Sequence, residues 1–216
     1  MMKEQAQACC DFTIEVTGEG AATAVPDQTI VTLGVSGESD SLGTLQTDQA
    51  KIIDAVIQAM LALGVPRESI STAQYSIEPQ YDFVDGKQIF RGYRAVHLLR
   101  ITIDGAKDAG RIIDAAVAQG ANMVSDVTFQ STHADEARRK ALTQAVRDAE
   151  AKALAIAATL GVSLSSVPCK VTESPVNRFE PIMFKAASVP AGDAGTTIEP
   201  GTLTFKASVR VWYVYG

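Results

Sequence analysis

Two histidines, three cysteines and a scatter of carboxylates are the side chains of this sequence with chemical reach. His133 stands three residues before Glu136, and such a pair on one helix face is the smallest beginning of a metal site or an acid–base pair. Two groups do not close a site. Asp135 and Glu136 read more simply as acids at a helix start, where they complement the positive end of the helix dipole. No metal is expected. His97, between Ala95 and Leu99 in an alternating run, belongs on the inward face of a strand as a hydrogen-bonded core residue.

Cys9, Cys10 and Cys169 are an odd set without paired spacing, which supports neither a disulfide framework nor a zinc site. Cys169 in a redox role would need a depressed pKa, and nothing beside it in sequence supplies one. Cys9-Cys10 has the look of a lipid-attachment site but lacks an apolar segment before it, so residues 1–11 are read as a disordered terminus. No Gly-x-Ser-x-Gly elbow occurs, and Gly18-Glu19-Gly20 does not extend into a dinucleotide or phosphate-loop fingerprint. No catalytic residue and no cofactor are assigned, and the chain is read as not an enzyme.

Composition narrows the remaining classes. A hydrophobic share of 46% with 20% charged residues fits a folded globular chain rather than a disordered one. The formal charge of −6 and the lack of a basic stripe argue against nucleic acid, so Tyr75, Tyr81, Phe83 and Tyr93 are assigned to a core or an interface instead of base stacking. No run of about 18 apolar residues is present, so no transmembrane segment is expected. The N-terminus also lacks the apolar region of a secretory signal.

The elements follow from periodicity. Phe12, Ile14 and Val16 alternate with polar residues as a strand does, and Gly18-Glu19-Gly20 is expected to end it. A second strand runs over 28–37. Leu42, Leu45, Gln49, Ile52, Val56, Met60 and Leu63 form one helical stripe, capped by Asp40 or Ser41 and stopped by Gly64 and Pro66. Strands over 69–83 and 90–103 flank the Asp85-Gly86 turn, with Pro79 placing the first on an edge. A helix over 107–119, with Ala109, Ile112, Ile113, Ala116 and Val117 inward, and a strand over 123–129 complete a β-α-β-β-α-β order. This predicts an α+β fold: an antiparallel ferredoxin-like sheet over 28–130 with both helices on one face.

Beyond it, a long helix over 134–160 carries Ala137, Ala141, Ala145, Ala149, Ala153 and Ala157 at a strict step of four, a seam for close packing, with Leu142, Val146, Ile156 and Leu160 adding bulk. Strands over 168–173 and 203–215 finish a second lobe over 131–216. The loop 174–201 between them carries Phe179, Ile182, Met183, Phe184 and Val189. It is read either as a solvated loop or as an arm that buries these residues against a second subunit.

The order Ile14-Glu15-Val16-Thr17-Gly18-Glu19-Gly20, Pro26-Asp27, Gly64-Val65, Ile70-Ser71-Thr72, Ile77-Glu78-Pro79-Gln80-Tyr81, Gly92-Tyr93, Ile112-Ile113-Asp114 and Gly120-Ala121-Asn122 resembles the SIMPL-domain family from Phe12 to the C-terminus. The resemblance implies a periplasmic or cell-envelope protein with links to stress tolerance and ring-like self-assembly. It brings no catalytic residues. The missing signal region departs from the family pattern and keeps a cytoplasmic location as the alternative. The function expected is therefore non-enzymatic self-assembly as a homo-oligomer. The competing readings are a ligand-binding or cryptic catalytic cleft between sheet and helices, and a membrane tether through Cys9 or Cys10.

Overall fold

The computed structural model describes residues 12–105, 108–174 and 196–216. They form two compact units, each with its own antiparallel sheet and its own core. One holds β1 (Thr13–Ala24), α3 (Ala134–Leu160), β6 (Lys170–Ser174) and β7 (Leu203–Val214), with sheet order β1-β7-β6. The other holds β2 (Gln28–Ser39), α1 (Leu42–Ala62), β3 (Ile70–Val84), β4 (Lys87–Asp104), α2 (Ala109–Ala118) and β5 (Met123–Gln130), with sheet order β3-β4-β2-β5.

The four-stranded sheet has the strand order that a split βαβ arrangement gives, and its α+β character matches the sequence reading. Val31, Leu33, Val35, Leu99, Ile101 and Ile103 point to the face covered by α1 and α2, whose Ile53, Val56, Met60, Ile112 and Ile113 fill the core between them. Each fully buried large side chain of this kind stabilises the fold by roughly 1.5–3 kcal/mol before chain entropy is set against it. Ser41 caps α1, its hydroxyl accepting from the Thr44 N–H at 3.4 Å, and Gly64 takes the left-handed conformation (φ 87°) just past the helix end. Val117, expected inward, is exposed; the inward face of α2 is Ala109, Ile112, Ile113 and Ala116. Thr196 bonds back to α2, its Oγ1 and N–H donating to the Asp114 carboxylate at 2.6 and 3.1 Å, and Ile198 packs on the same core. These bonds to the ionised form hold the Asp114 carboxyl below the usual carboxylate range.

The three-stranded sheet is built differently. All six alanines of the four-residue repeat are buried, and none of Val146, Ile156 and Leu160 is. The bulk comes from the sheet: Ile14 and Val16 of β1 and Val209, Val211 and Tyr213 of β7. The expectation that Gly18-Glu19-Gly20 ends the first strand is wrong, since β1 runs through it to Ala24, paired residue for residue with β7. These glycines are present because the helix backbone lies on the strand. A Cβ on Gly18 would fall 2.0 Å from the Ala145 carbonyl oxygen, and one on Gly20 would fall 2.1 Å from that of Ala141.

Backbone atoms cannot move aside as a side-chain tip can. Gly18→Ala and Gly20→Ala are each expected to destabilise the protein by about 2–3 kcal/mol or more, the range for overpacking a close contact. Gly43→Ala, which meets nothing within 4 Å, should be neutral or slightly stabilising. Urea denaturation of the three variants decides this.

Candidate functional site

Among the described residues, those singled out in sequence do not converge. Phe179, Ile182, Met183, Phe184 and Val189 lie outside the described residues, as do Cys9 and Cys10. Cys169 is disulfide-bonded, which corrects the reading of it as unpaired and removes it as a free thiol. His133 holds the position before the first turn of α3 without a side-chain capping bond, and its Nδ1 is 4.0 Å from Glu136. The Glu136 carboxyl is held below its ordinary pKa chiefly by Lys140, whose ammonium donates to it at 2.8 Å. Among the described residues no group of three or more His, Cys, Asp or Glu is placed to hold a metal ion.

His97 sits on the helix-facing side of β4, half-buried, with its ring edge-on to Tyr75 at 5.0 Å between centroids. It is not hydrogen-bonded among the described residues, where the sequence predicts a hydrogen-bonded core residue. Loss of solvation lowers its pKa. Nearby Gln49 is buried in α1, its amide donating to the Ala95 carbonyl at 2.8 Å, while its Oε1 has no protein partner among the described residues. A cavity of about 290 Å³ lies beside the C-terminal end of α1 and the start of α2, with Gly64, Asp104, Asp108 and Arg111 in its walls. Arg111 donates to Asp108 at 3.1 Å, and among the described residues no hydrogen-bonded nucleophile–base pair lines it.

The most conspicuous surface lies at the far end of the β3–β4 hairpin. The pairing of β2 with β4 stops at Ser39 and Tyr93, yet the hairpin continues to Val84 and Lys87 as a ribbon of two strands. A bulge at Gln80/Tyr81 shifts the register, after which Tyr81 pairs with Phe90 and Phe83 with Gln88. Side chains paired across strands share a face, so Tyr81, Phe90 and Phe83 lie together. Their rings form an edge-to-face series, Tyr81 to Phe90 at 5.7 Å and Phe90 to Tyr93 at 5.2 Å. Phe83 is 76% exposed, and Tyr81 and Phe90 are each more than 40% exposed. Arg91 ties the ribbon to Glu38 and lies 3.9 Å from Asp82. Ile89 and Phe90 escaped the sequence reading as interface residues. The available signal was the position of Asp85-Gly86, too far along the chain for a 12-residue second strand to flank.

Two antiparallel sheets, one ferredoxin-like and covered by two helices, the other covered by a single alanine-faced helix, define an α+β protein with a prominent aromatic surface. The chain belongs to the SIMPL family, described as "Protein of unknown function (DUF541)", which it matches over residues 14–213. It is 28% identical over 211 residues to the 26 kDa periplasmic immunogenic protein of Brucella melitensis biotype 1, covering 92% of this chain and 82% of that one. It is 25% identical over 206 residues to the uncharacterized protein YggE of Escherichia coli strain K12, covering 92% and 81%. Neither name denotes an enzymatic activity. No described helix is long and apolar enough to cross a membrane.

The His97 shift has a definite sign. Its folded pKa lies below the unfolded value, so the neutral ring is favoured in the folded state. The unfolded chain therefore binds more protons between the two pKa values, and stability falls as pH drops below about 6.5 through the folded pKa. His97→Gln should flatten that part of the stability–pH curve, measured by urea denaturation at steps between pH 7.5 and 5. An unchanged slope would show that His97 does not carry it.

Proposed function

We propose that this protein is a non-enzymatic, self-assembling component of the bacterial cell envelope, with copies of the chain meeting through the aromatic face of the β3–β4 ribbon. The observation that carries the reading is the exposure of Tyr81, Phe83 and Phe90 together on the part of the β3–β4 hairpin that runs past the end of β2. A two-stranded ribbon is marginal alone in water and gains stability from whatever covers it. Grouped aromatic side chains are the commonest anchors of protein interfaces.

A second copy is the partner that the ribbon itself favours. Ribbon against ribbon about a twofold axis places the same aromatic face on both sides, and edge-to-face ring pairs then form across the contact as they already do within it. Asp82 and Lys87 along the strands supply opposite charges for an antiparallel approach. Phe179, Ile182, Met183, Phe184 and Val189 are proposed as a second apolar contribution to assembly, on the strength of their composition. The name of the Brucella relative supports a periplasmic location.

Light scattering on the purified chain at micromolar concentration should give a mass that is a multiple of 22.8 kDa. Phe83→Ser combined with Phe90→Ser should shift it to monomer while far-UV circular dichroism stays unchanged. Deleting 179–189 should weaken assembly to a lesser degree. A wild-type monomer, or an assembly indifferent to the aromatic pair, would remove the ribbon from the account.

A further inference from the structure

The strongest unassigned feature lies on the β1–α3 unit, beside the end of β1. A groove of about 620 Å³ runs between residues 21–23 and the first half of α3, and its α3 wall includes Glu136, Arg139, Lys140, Gln144 and Arg147. The chain as a whole carries a formal charge of −6, yet this wall holds three cations and one carboxylate. That carboxylate is already matched, since Lys140 donates to Glu136 at 2.8 Å. Arg147 makes no ion pair or hydrogen bond among the described residues, and Arg139 acts on Glu136 through its charge without a direct ion pair or hydrogen bond, which leaves both guanidinium forks exposed on the groove wall. Asp148, the next acid along the helix, is occupied by Lys152 at 2.7 Å and by the Glu19 N–H at 2.8 Å.

Neutral groups add further donors. Gln144 Oε1 accepts from the Ala21 N–H at 3.3 Å, which fixes the amide so that its two Nε2 hydrogens remain for a ligand. The N–H groups of Glu19 and Ala21 and the carbonyl of Thr17 point outward from β1, away from β7. By the alternation of an antiparallel ladder, the Thr23 N–H points the same way, into the groove. Thr143 bonds back to the Arg139 carbonyl at 2.9 Å and so adds no donor. The same alternation brings the Ala21 and Thr23 carbonyls to this edge, so the excess of donors over acceptors in the groove comes from the side chains of α3. No aromatic side chain is part of the lining, so a ring-bearing ligand would find nothing to stack on.

We infer that this groove is a binding site for a compact ligand carrying two or more oxyanion groups, phosphoryl or carboxyl. Guanidinium forks match the paired oxygens of both groups. Arg139 and Arg147 are eight residues apart, roughly 12 Å along the helix. That spacing favours a polyanion over a single orthophosphate. The site is independent of the aromatic ribbon and of the assembly proposed from it.

Titration calorimetry of the full chain at low salt, with sodium tripolyphosphate in one arm and citrate in the other, tests the assignment. Binding of tripolyphosphate alone identifies phosphoryl chemistry, and binding of citrate alone identifies carboxylate chemistry. The double variant Arg139→Gln/Arg147→Gln should weaken whichever probe binds by at least about tenfold, the loss expected for two charge-assisted contacts. The double variant Arg94→Gln/Arg100→Gln removes the same charge from exposed positions on β4 that are not part of the groove lining and should leave affinity within about twofold. Binding of neither probe, or equal weakening by both double variants, would overturn the inference. All four arginines are exposed, and matching thermal melts confirm that the variants compared are folded.

Discussion

The unit built on α3 depends on one approach, that of the helix backbone to the backbone of β1. Helices usually stand off a sheet by the thickness of two side-chain layers. Here Gly18 and Gly20 face Ala141, Ala145 and Ala149, and both layers are almost absent. Dispersion between closely fitted atoms then does the work that larger hydrophobes do elsewhere. The same closeness brings a second helix stripe within reach of the strand's outer edge. Gln144, Asp148 and Lys152, spaced four apart, meet the Ala21 N–H, the Glu19 N–H and the Thr17 carbonyl. Pairing with Lys152 and with that N–H holds the Asp148 carboxyl below its ordinary pKa, so it remains a charged acceptor. Set back by one more residue in either direction, these side chains would fall short.

The ferredoxin-like unit shows the opposite strategy. Its core is made of branched aliphatic side chains from sheet and helices at ordinary separation. The exception is Gln49, whose buried amide is only half-matched, a group that costs about 1–3 kcal/mol when left so. It lies on the helix stripe where an apolar residue would pack as well, beneath the strand that carries Ala95 and His97. The aromatic ribbon and the Tyr75–His97 stack belong to the same hairpin, so its polar and aromatic features are concentrated on one supersecondary element.

Much of this was legible in the chain. The alternation of β7, the four-residue alanine step of α3 and the β-α-β-β-α-β order lead directly to elements whose bounds differ by a few residues from those observed. Periodicity is a local property, and local properties survive in sequence. What was lost depends on distant partners. Gly18 and Gly20 look like a turn because glycine usually marks one, whereas only the position of α3, more than a hundred residues later, explains them. Val117 and Ile156 have the types and spacing of buried residues but face solvent, because the periodic pattern is wider than the contact. The cationic groove was illegible for the same reason. Arg139 and Arg147 are unremarkable on a charged helix until neighbouring acids prove to be matched elsewhere and the edge of β1 proves to run alongside.

The side chains that close β1 also set a valence. A sheet grows by accepting a strand at an exposed margin, and unlimited growth needs two such margins on each molecule. In the three-stranded sheet α3 occupies the margin at β1, and its charged ladder would have to be dislodged before another chain could add there. Growth at both margins, which a fibre needs, is thereby opposed at this sheet.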